Sequence, residues 1–309
     1  MDMPRDILAV IDPAATQHPA LARAWMLAQA FGARVELFAC RTPRDTWSGN
    51  VTAELERMAQ RLAADGIEAD VEVTSDNTLH TGIVRKVLRS TPSLVLKDAQ
   101  PHTLLRNSWQ GNTDWQLVRL CPAPLLFVRP GPWNAHPRIA AAVDIARPGE
   151  KPAQLDHALL GAAETFALAT DGELHAVHAY IPVSPLAARA TVHAVPMASA
   201  TAPLQVINDS ESLARYDLAA LLRSHPVARE RRHVLTGPPS EALLRFVGQK
   251  GIDVLVMGAY AHGWIYNVTV GSTTERILDV LPCDVLVLKP ASFECPLRPR
   301  QEQQIQAGA

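Results

Sequence analysis

The residues best suited to do chemistry lie in one stretch, GAYAHGWIYNVTVGSTTERIL, residues 258–278. Gly258, Gly263 and Gly271 allow tight turns and close backbone approach to a ligand. Ser272, Thr273, Thr274 and Glu275 form a capping-box pattern, opening a helix with apolar positions at Ile277, Leu278 and Leu281. A helix N-terminus carries unpaired N–H groups, and with glycine before it and hydroxyls in its first turn it makes an anion site. This pattern suits the cradling of an anion by main-chain amides, helped by the Ser272 and Thr273 hydroxyls and the His262 ring. Ser272 also has a plainer use, as a helix cap alone. Asp144 ends the apolar run IAAAV. It faces the same crevice if the first and fourth strands of its domain are neighbours, and its carboxylate can accept hydrogen bonds from a base or ribose.

Other chemistries lack their residues. No HExxH, GxSxG, GxxxxGK[ST], SGGxDS-like or HIGH-like motif occurs, so a dedicated enzyme is not expected. His175 and His178 fall at i and i+3 of a strand and point to opposite faces, which defeats a joint metal site. His157, His193, His225 and His233 show no ligand spacing. No catalytic residue and no metal ligand is therefore assigned.

An internal repeat supplies the elements that must hold these residues. ILAVIDP (7–13) reappears as IAAAVDIARP (139–148), and SLVLKDA (93–99) as DVLVMGA (253–259). RLCPAPLLFVRPGPW (119–133) reappears as DVLPCDVLVLKPASF (279–293). Asp12 and Asp144 are 132 residues apart, Gly32 and Gly172 140, and Gly111 and Gly271 160. The period is a whole domain, so this is a tandem duplication. The second copy carries about 28 extra residues (160 minus 132), which we place mostly within 183–210. That insertion is long, apolar and rich in small residues, either a packed surface loop or a lid over a hydrophobic pocket.

In copy one, 7–11, 35–39, 69–73, 93–97 and 124–128 read as buried or alternating strands. Leu55, Met58, Ala59 and Leu62, then Ile83, Val84, Val87 and Leu88, mark helical faces between them; in copy two Leu213, Tyr216, Ala220 and Leu221 do the same. Alternating strands and helices predict an α/β fold, two tandem doubly wound parallel sheets of five strands each. The predicted domains are 1–132 and 133–292, joined by the Pro-rich linker 129–138, with a flexible tail at 293–309. The closing strands, 124–128 and 284–288, are expected to pair into an intramolecular pseudo-dimer, making the chain a monomer or a dimer of tandem units.

The chain has 309 residues, with 29 Lys+Arg against 31 Asp+Glu and 48% apolar residues. This balance leaves no electrostatic footprint for nucleic acid or an anionic membrane. The longest uncharged run, 190–208, holds two prolines and cannot span a bilayer. Four scattered cysteines form no disulfide framework, and the N-terminus shows no signal peptide. A cytoplasmic, reducing location is expected.

The Gly-x2-Gly-x9-Gly-Ser/Thr frame, the strand-end Asp and the closing LPCDVLVLKP resemble the universal stress protein family. The duplication and the copy-one segments SLVLKDA and DWQLVRLCPAPLLFVRPGPW resemble its tandem, E-type branch. The resemblance covers nearly the whole chain. It implies Rossmann-like domains, a role in stress survival including resistance to DNA damage, and in some members ATP, with Mg where ATP is bound. Slow ATP hydrolysis is the most catalysis it implies. Gly258, Gly271 and Ser272 match the motif, and His262 stands where a basic residue often sits. Ala261 replaces the second glycine; if that position needs φ > 0, alanine costs about 1–2 kcal/mol there. Copy one reads DAQPHTLLRNSWQGNT (98–113), with Asp98 and Pro101 for two glycines. A carboxylate repels phosphate, so copy one is predicted to lack a nucleotide site. The alternative reading is a non-catalytic module holding an apolar or lipid-like ligand, motivated by Ala261 and the insertion.

Overall fold

The computed structural model describes residues 3–99, 113–145, 154–182, 202–259, 278 and 280–297, giving only the backbone for 202–209. The chain divides into two compact units, built on Pro4–Val128 and on Arg129–Ala291.

The first unit runs β1 (Asp6–Val10), α1 (Pro19–Phe31), β2 (Arg34–Arg41), α2 (Val51–Ala64), β3 (Ala69–Ser75), α3 (Leu79–Ser90), β4 (Leu94–Asp98), α4 (Thr113–Leu120) and β5 (Leu125–Val128). Its strands pair in parallel in the order β3-β2-β1-β4-β5. The apolar runs become central strands because both faces are covered: Ile7, Leu8, Ala9, Leu94, Val95 and Leu96 are each 1% exposed or less. Helix α2 buries Val51, Leu55, Ala59 and Leu62, and Asn50 caps it by accepting from the Ala53 N–H at 3.1 Å. Thr78 caps α3 in the same way.

The second unit runs β6 (Arg138–Ala142), α5 (Leu155–Ala169), β7 (Glu173–Tyr180), α6 (Ala202–Leu221), two 3-10 turns, β8 (Arg232–Thr236), α7 (Pro239–Lys250), β9 (Val254–Gly258) and β10 (Asp284–Leu288). Its parallel order is β8-β7-β6-β9-β10, the first unit's order repeated. The α/β, doubly wound reading of the sequence therefore holds in both copies. Among the described residues, no helix is long and apolar enough to cross a membrane.

Two local expectations are corrected, and one matched pair of residues proves to differ. The face of α6 against the sheet is Ala214, Leu218 and, one turn on, Leu222, not the face of Leu213 and Tyr216, which are 60% and 65% exposed. The helix carries apolar residues on two sides, so spacing alone could not choose between them. Residues 202–210, read as part of a loop insertion, form the first turns of α6; 183–201 lie outside the described residues. The matched glycines Gly32 and Gly172 do different work. Gly32 takes the left-handed cap of α1 (φ 65°), whereas after α5 that conformation falls to Asp171 (φ 50°). Gly172 is needed for room, since a Cβ there would lie 2.4 Å from the Pro137 carbonyl oxygen.

The segment 129–138, read as the linker, is tied into the second unit. Asp284, 2% exposed, accepts from the Arg129 N–H at 2.7 Å and the Trp133 indole at 2.8 Å. Asp253 accepts from the Asn134 and Arg138 N–H groups at 3.0 and 2.8 Å. Cys40, Cys121 and Cys283 are buried and Cys295 is partly exposed.

Candidate functional site

In a doubly wound sheet, ligands bind beyond the carboxyl ends of the strands where the chain order reverses. That reversal falls between β6 and β9 in the second unit and between β1 and β4 in the first.

In the second unit β6 and β9 are direct neighbours, with Ala142 paired to Met257. Asp144 follows the end of β6, and Gly258 closes β9 beside it. The turn that carries Asp144 is fixed from three sides. The Val143 N–H donates to the Val177 carbonyl at 2.9 Å. His178, 1% exposed, donates through Nδ1 to the Val143 carbonyl at 3.0 Å. The Asp144 N–H donates to Asp156 Oδ1 at 3.2 Å, and Asp156 is buried in the first turn of α5. Asp144 itself stays partly exposed. The structure thus brings two of the sequence-predicted site residues, Asp144 and Gly258, to adjacent strand ends. The others, His262, Gly263, Gly271, Ser272 and Thr273, lie outside the described residues, as does Ala261.

Gly258 has a packing reason that the sequence did not reveal. A Cβ there would stand 2.9 Å from Leu155 Cδ2, so glycine lets the first turn of α5 rest on the end of β9. The signal for His178 was present only as an apolar-strand histidine; its carbonyl partner is 35 residues away.

The first unit fills the equivalent place with charge. Asp98 ends β4, and its Oδ1 accepts from the Ala20 N–H in the first turn of α1 at 2.5 Å. The N-cap residue of α1, His18, makes no side-chain capping bond of its own. Burial pushes the Asp98 carboxyl above its ordinary value, and nearby Asp12 adds to that; the Ala20 N–H, Lys97 and His18 oppose it. Lys97, 4% exposed, donates to the Asp98 carbonyl at 2.8 Å and pairs with buried Asp114 at 2.8 Å. Asp12 is exposed and closes its own turn, accepting from the Ala14 N–H at 3.0 Å. A polar cleft of about 210 Å³ in this unit lies at the opposite, amino ends of the strands, between Asp6, Arg34, Glu36 and Asp70.

The universal stress protein family model matches residues 137–289, the span of the second unit's sheet. Over 326 aligned residues, 98% of this chain and 99% of the relative, the sequence is 28% identical to Universal stress protein E of Escherichia coli K12. The chain belongs to the universal stress protein family. This is a tandem universal stress protein, with a role in the stress response. Universal stress protein E of Photorhabdus laumondii is 25% identical over 96% of this chain and 99% of its own. A crystal structure of a functionally unknown protein from Pseudomonas aeruginosa PAO1 superposes with a TM-score of 0.75, at 25% identity over 93% of both chains. A universal stress protein from Archaeoglobus fulgidus, 16% identical, shares the fold with a TM-score of 0.60 over 92% of this chain and 96% of its own.

Proposed function

We propose that this universal stress protein binds ATP or a related nucleotide in its second unit, as a cytoplasmic, non-catalytic stress-survival factor. The observation that carries the reading is the placement of Asp144 and Gly258 on neighbouring strand ends at the order reversal. A partly exposed carboxylate on a rigid turn suits a ribose or base hydroxyl or amino group. The segment that follows β9 holds Gly263, Gly271, Ser272 and Thr273, residue types whose amides and hydroxyls suit phosphates. A bound nucleotide would bring Mg with it, held by phosphate oxygens and water. No residue is assigned as a base, so turnover is slow at most.

In the first unit Asp98 replaces Gly258 and its carboxyl is already bonded to the first turn of α1, which argues against a second nucleotide there. The protein is expected to act as a small-molecule binder with no nucleic-acid or membrane partner. Resistance to DNA damage is the survival role we propose.

Isothermal titration of the full chain with Mg-ATP tests this. Binding at millimolar ATP or below should fall at least tenfold in Asp144→Ala and be unchanged in Asp12→Ala. A folded chain that takes up no ATP at millimolar concentration overturns the nucleotide reading. Equal loss in both variants removes the assignment to the second unit.

A further inference from the structure

Four histidines that share no sequence spacing meet as two pairs in the second unit. His175 on β7 and His233 on β8 place Nδ1 and Nε2 3.1 Å apart, with ring centroids 5.4 Å apart and planes within 13°. His157 on α5 and His225, just past α6, place Nδ1 and Nε2 3.0 Å apart, with centroids 5.3 Å apart and planes within 25°. Such near-coplanar rings meet end to end in a ring-to-ring hydrogen bond. Each pair has room for one proton between its nitrogens. Adding a proton to both rings turns two N–H groups on each other and sets two positive charges about 3 Å apart.

Both pairs fasten the same arm, Ala202–Thr236, to the rest of the unit. His233 and His225 belong to the arm; His175 and His157 do not. The arm ends in β8, the outermost strand of its sheet, which has β7 on one side only. We propose that the two imidazole pairs are acid-opened latches, holding α6 and β8 against α5 and β7 while each pair carries no more than one proton and releasing the arm when both rings are charged.

The charged groups around each pair support this polarity. His175 Nε2 faces Glu173 Oε2 at 3.4 Å, so its Nδ1 is left to accept from His233. Arg231 of the 3-10 turn and Arg138 of β6 hold that same carboxylate, at 2.7 and 3.4 Å. Phe246 of α7 packs on the His233 ring at 4.8 Å, and Lys250 of α7 adds a repelling charge. Burial, with His175 and Lys250, brings His233 down to about 4. Burial lowers His175 too, against Glu173 and with Arg231 and Arg138. Burial and His157 lower His225, whose Nδ1 is buried without a hydrogen-bond partner; Glu164 of α5, at 3.8 Å, opposes the shift. A histidine whose folded value is lowered costs nothing at neutral pH. It favours opening as pH falls below the ordinary value of about 6.5, by up to about tenfold per pH unit, until the folded value is passed.

Hydrogen exchange of the full chain, read by mass spectrometry between pH 7 and 4.5 and corrected for intrinsic rates, is the test. Peptides within 202–236 should lose protection at least tenfold more than those of β1, β4, β6 and β9. The combined variant H225Q/H233Q, which keeps polar side chains that cannot be charged, should abolish that difference. Loss in parallel over the whole chain, or an unchanged acid response in the double variant, overturns the latch. Should the variant not fold, ring NMR of the native chain decides. Each pair should take its two protons in separate steps, whereas four independent titrations near the ordinary value refute the proposal.

Discussion

Replacing Asp98 by alanine removes the only side-chain acceptor described for the first turn of α1. The Ala20 N–H that it serves belongs to a residue 0% exposed, so water cannot take over. Leaving a buried donor unpaired costs about 1–3 kcal/mol, in line with the about 0.5–2 kcal/mol measured for lost helix caps. Asparagine at 98 keeps an oxygen for Ala20 and drops the charge. The sign of the charge effect is fixed by the raised carboxyl. A carboxyl raised by burial favours folding in its protonated form, below the ordinary carboxylate value; that contribution is lost as pH rises through the folded value. At neutral pH the charge is therefore a cost that Asp98→Asn relieves. Urea unfolding at pH 7 should rank Asn equal to or above the parent, and Ala below both by about 1–3 kcal/mol. The margin of Asn over the parent should shrink in acid. If Ala and Asn lose the same stability, the charge and not the cap is what the site needs, and the reasoning fails; if Ala loses nothing, the Ala20 bond has no weight.

Gly258→Ala puts a methyl 2.9 Å from Cδ2 and 3.3 Å from Cγ of Leu155, a side chain that is itself buried at 3% exposure and has little room to yield. Overpacking of this kind costs about 1–3 kcal/mol, seen in urea unfolding without any ligand. A variant as stable as the parent would mean that the glycine is not there for packing. Asp284→Ala strips the acceptor from the Arg129 N–H and the Trp133 indole at once and should cost about 3 kcal/mol. Trp133 fluorescence should shift to the red as the segment 129–138 lifts; unchanged fluorescence and melting would refute that anchoring role.

What was legible in the sequence was whatever depends on local pattern. Runs such as LVLKD and VLVMG had to be buried strands because nothing in them could face water along a whole side. The repeat then carried the topology from one copy to the other, down to the same strand order. What escaped depends on partners far away in the chain. His175 and His233 are 58 residues apart, His157 and His225 68; the first separation has no meaning until β7 and β8 are paired in register, the second until the end of α6 meets the start of α5. The face of α6 escaped for another reason: Leu213 and Ala214 are both apolar, and only the sheet beneath decides which turns inward.

Asp98 and Gly258 show how far a reading by substitution can go. The sequence marked Asp98 as a carboxylate standing where the second copy has glycine, and inferred repulsion of phosphate. The coordinates add that the carboxyl has a use of its own, as the hydrogen-bond acceptor at the head of α1. Gly258 also has an internal use, as the seat for Leu155. The two copies thus dock the first helix of the unit on the end of the fourth strand by opposite means, a hydrogen bond in one and apolar contact in the other. A polar lock spends the strand-end charge inside the protein, while an apolar one leaves the polar chemistry of the crevice to Asp144. Divergence at one strand-end residue is enough to give the two copies different seats for the same helix.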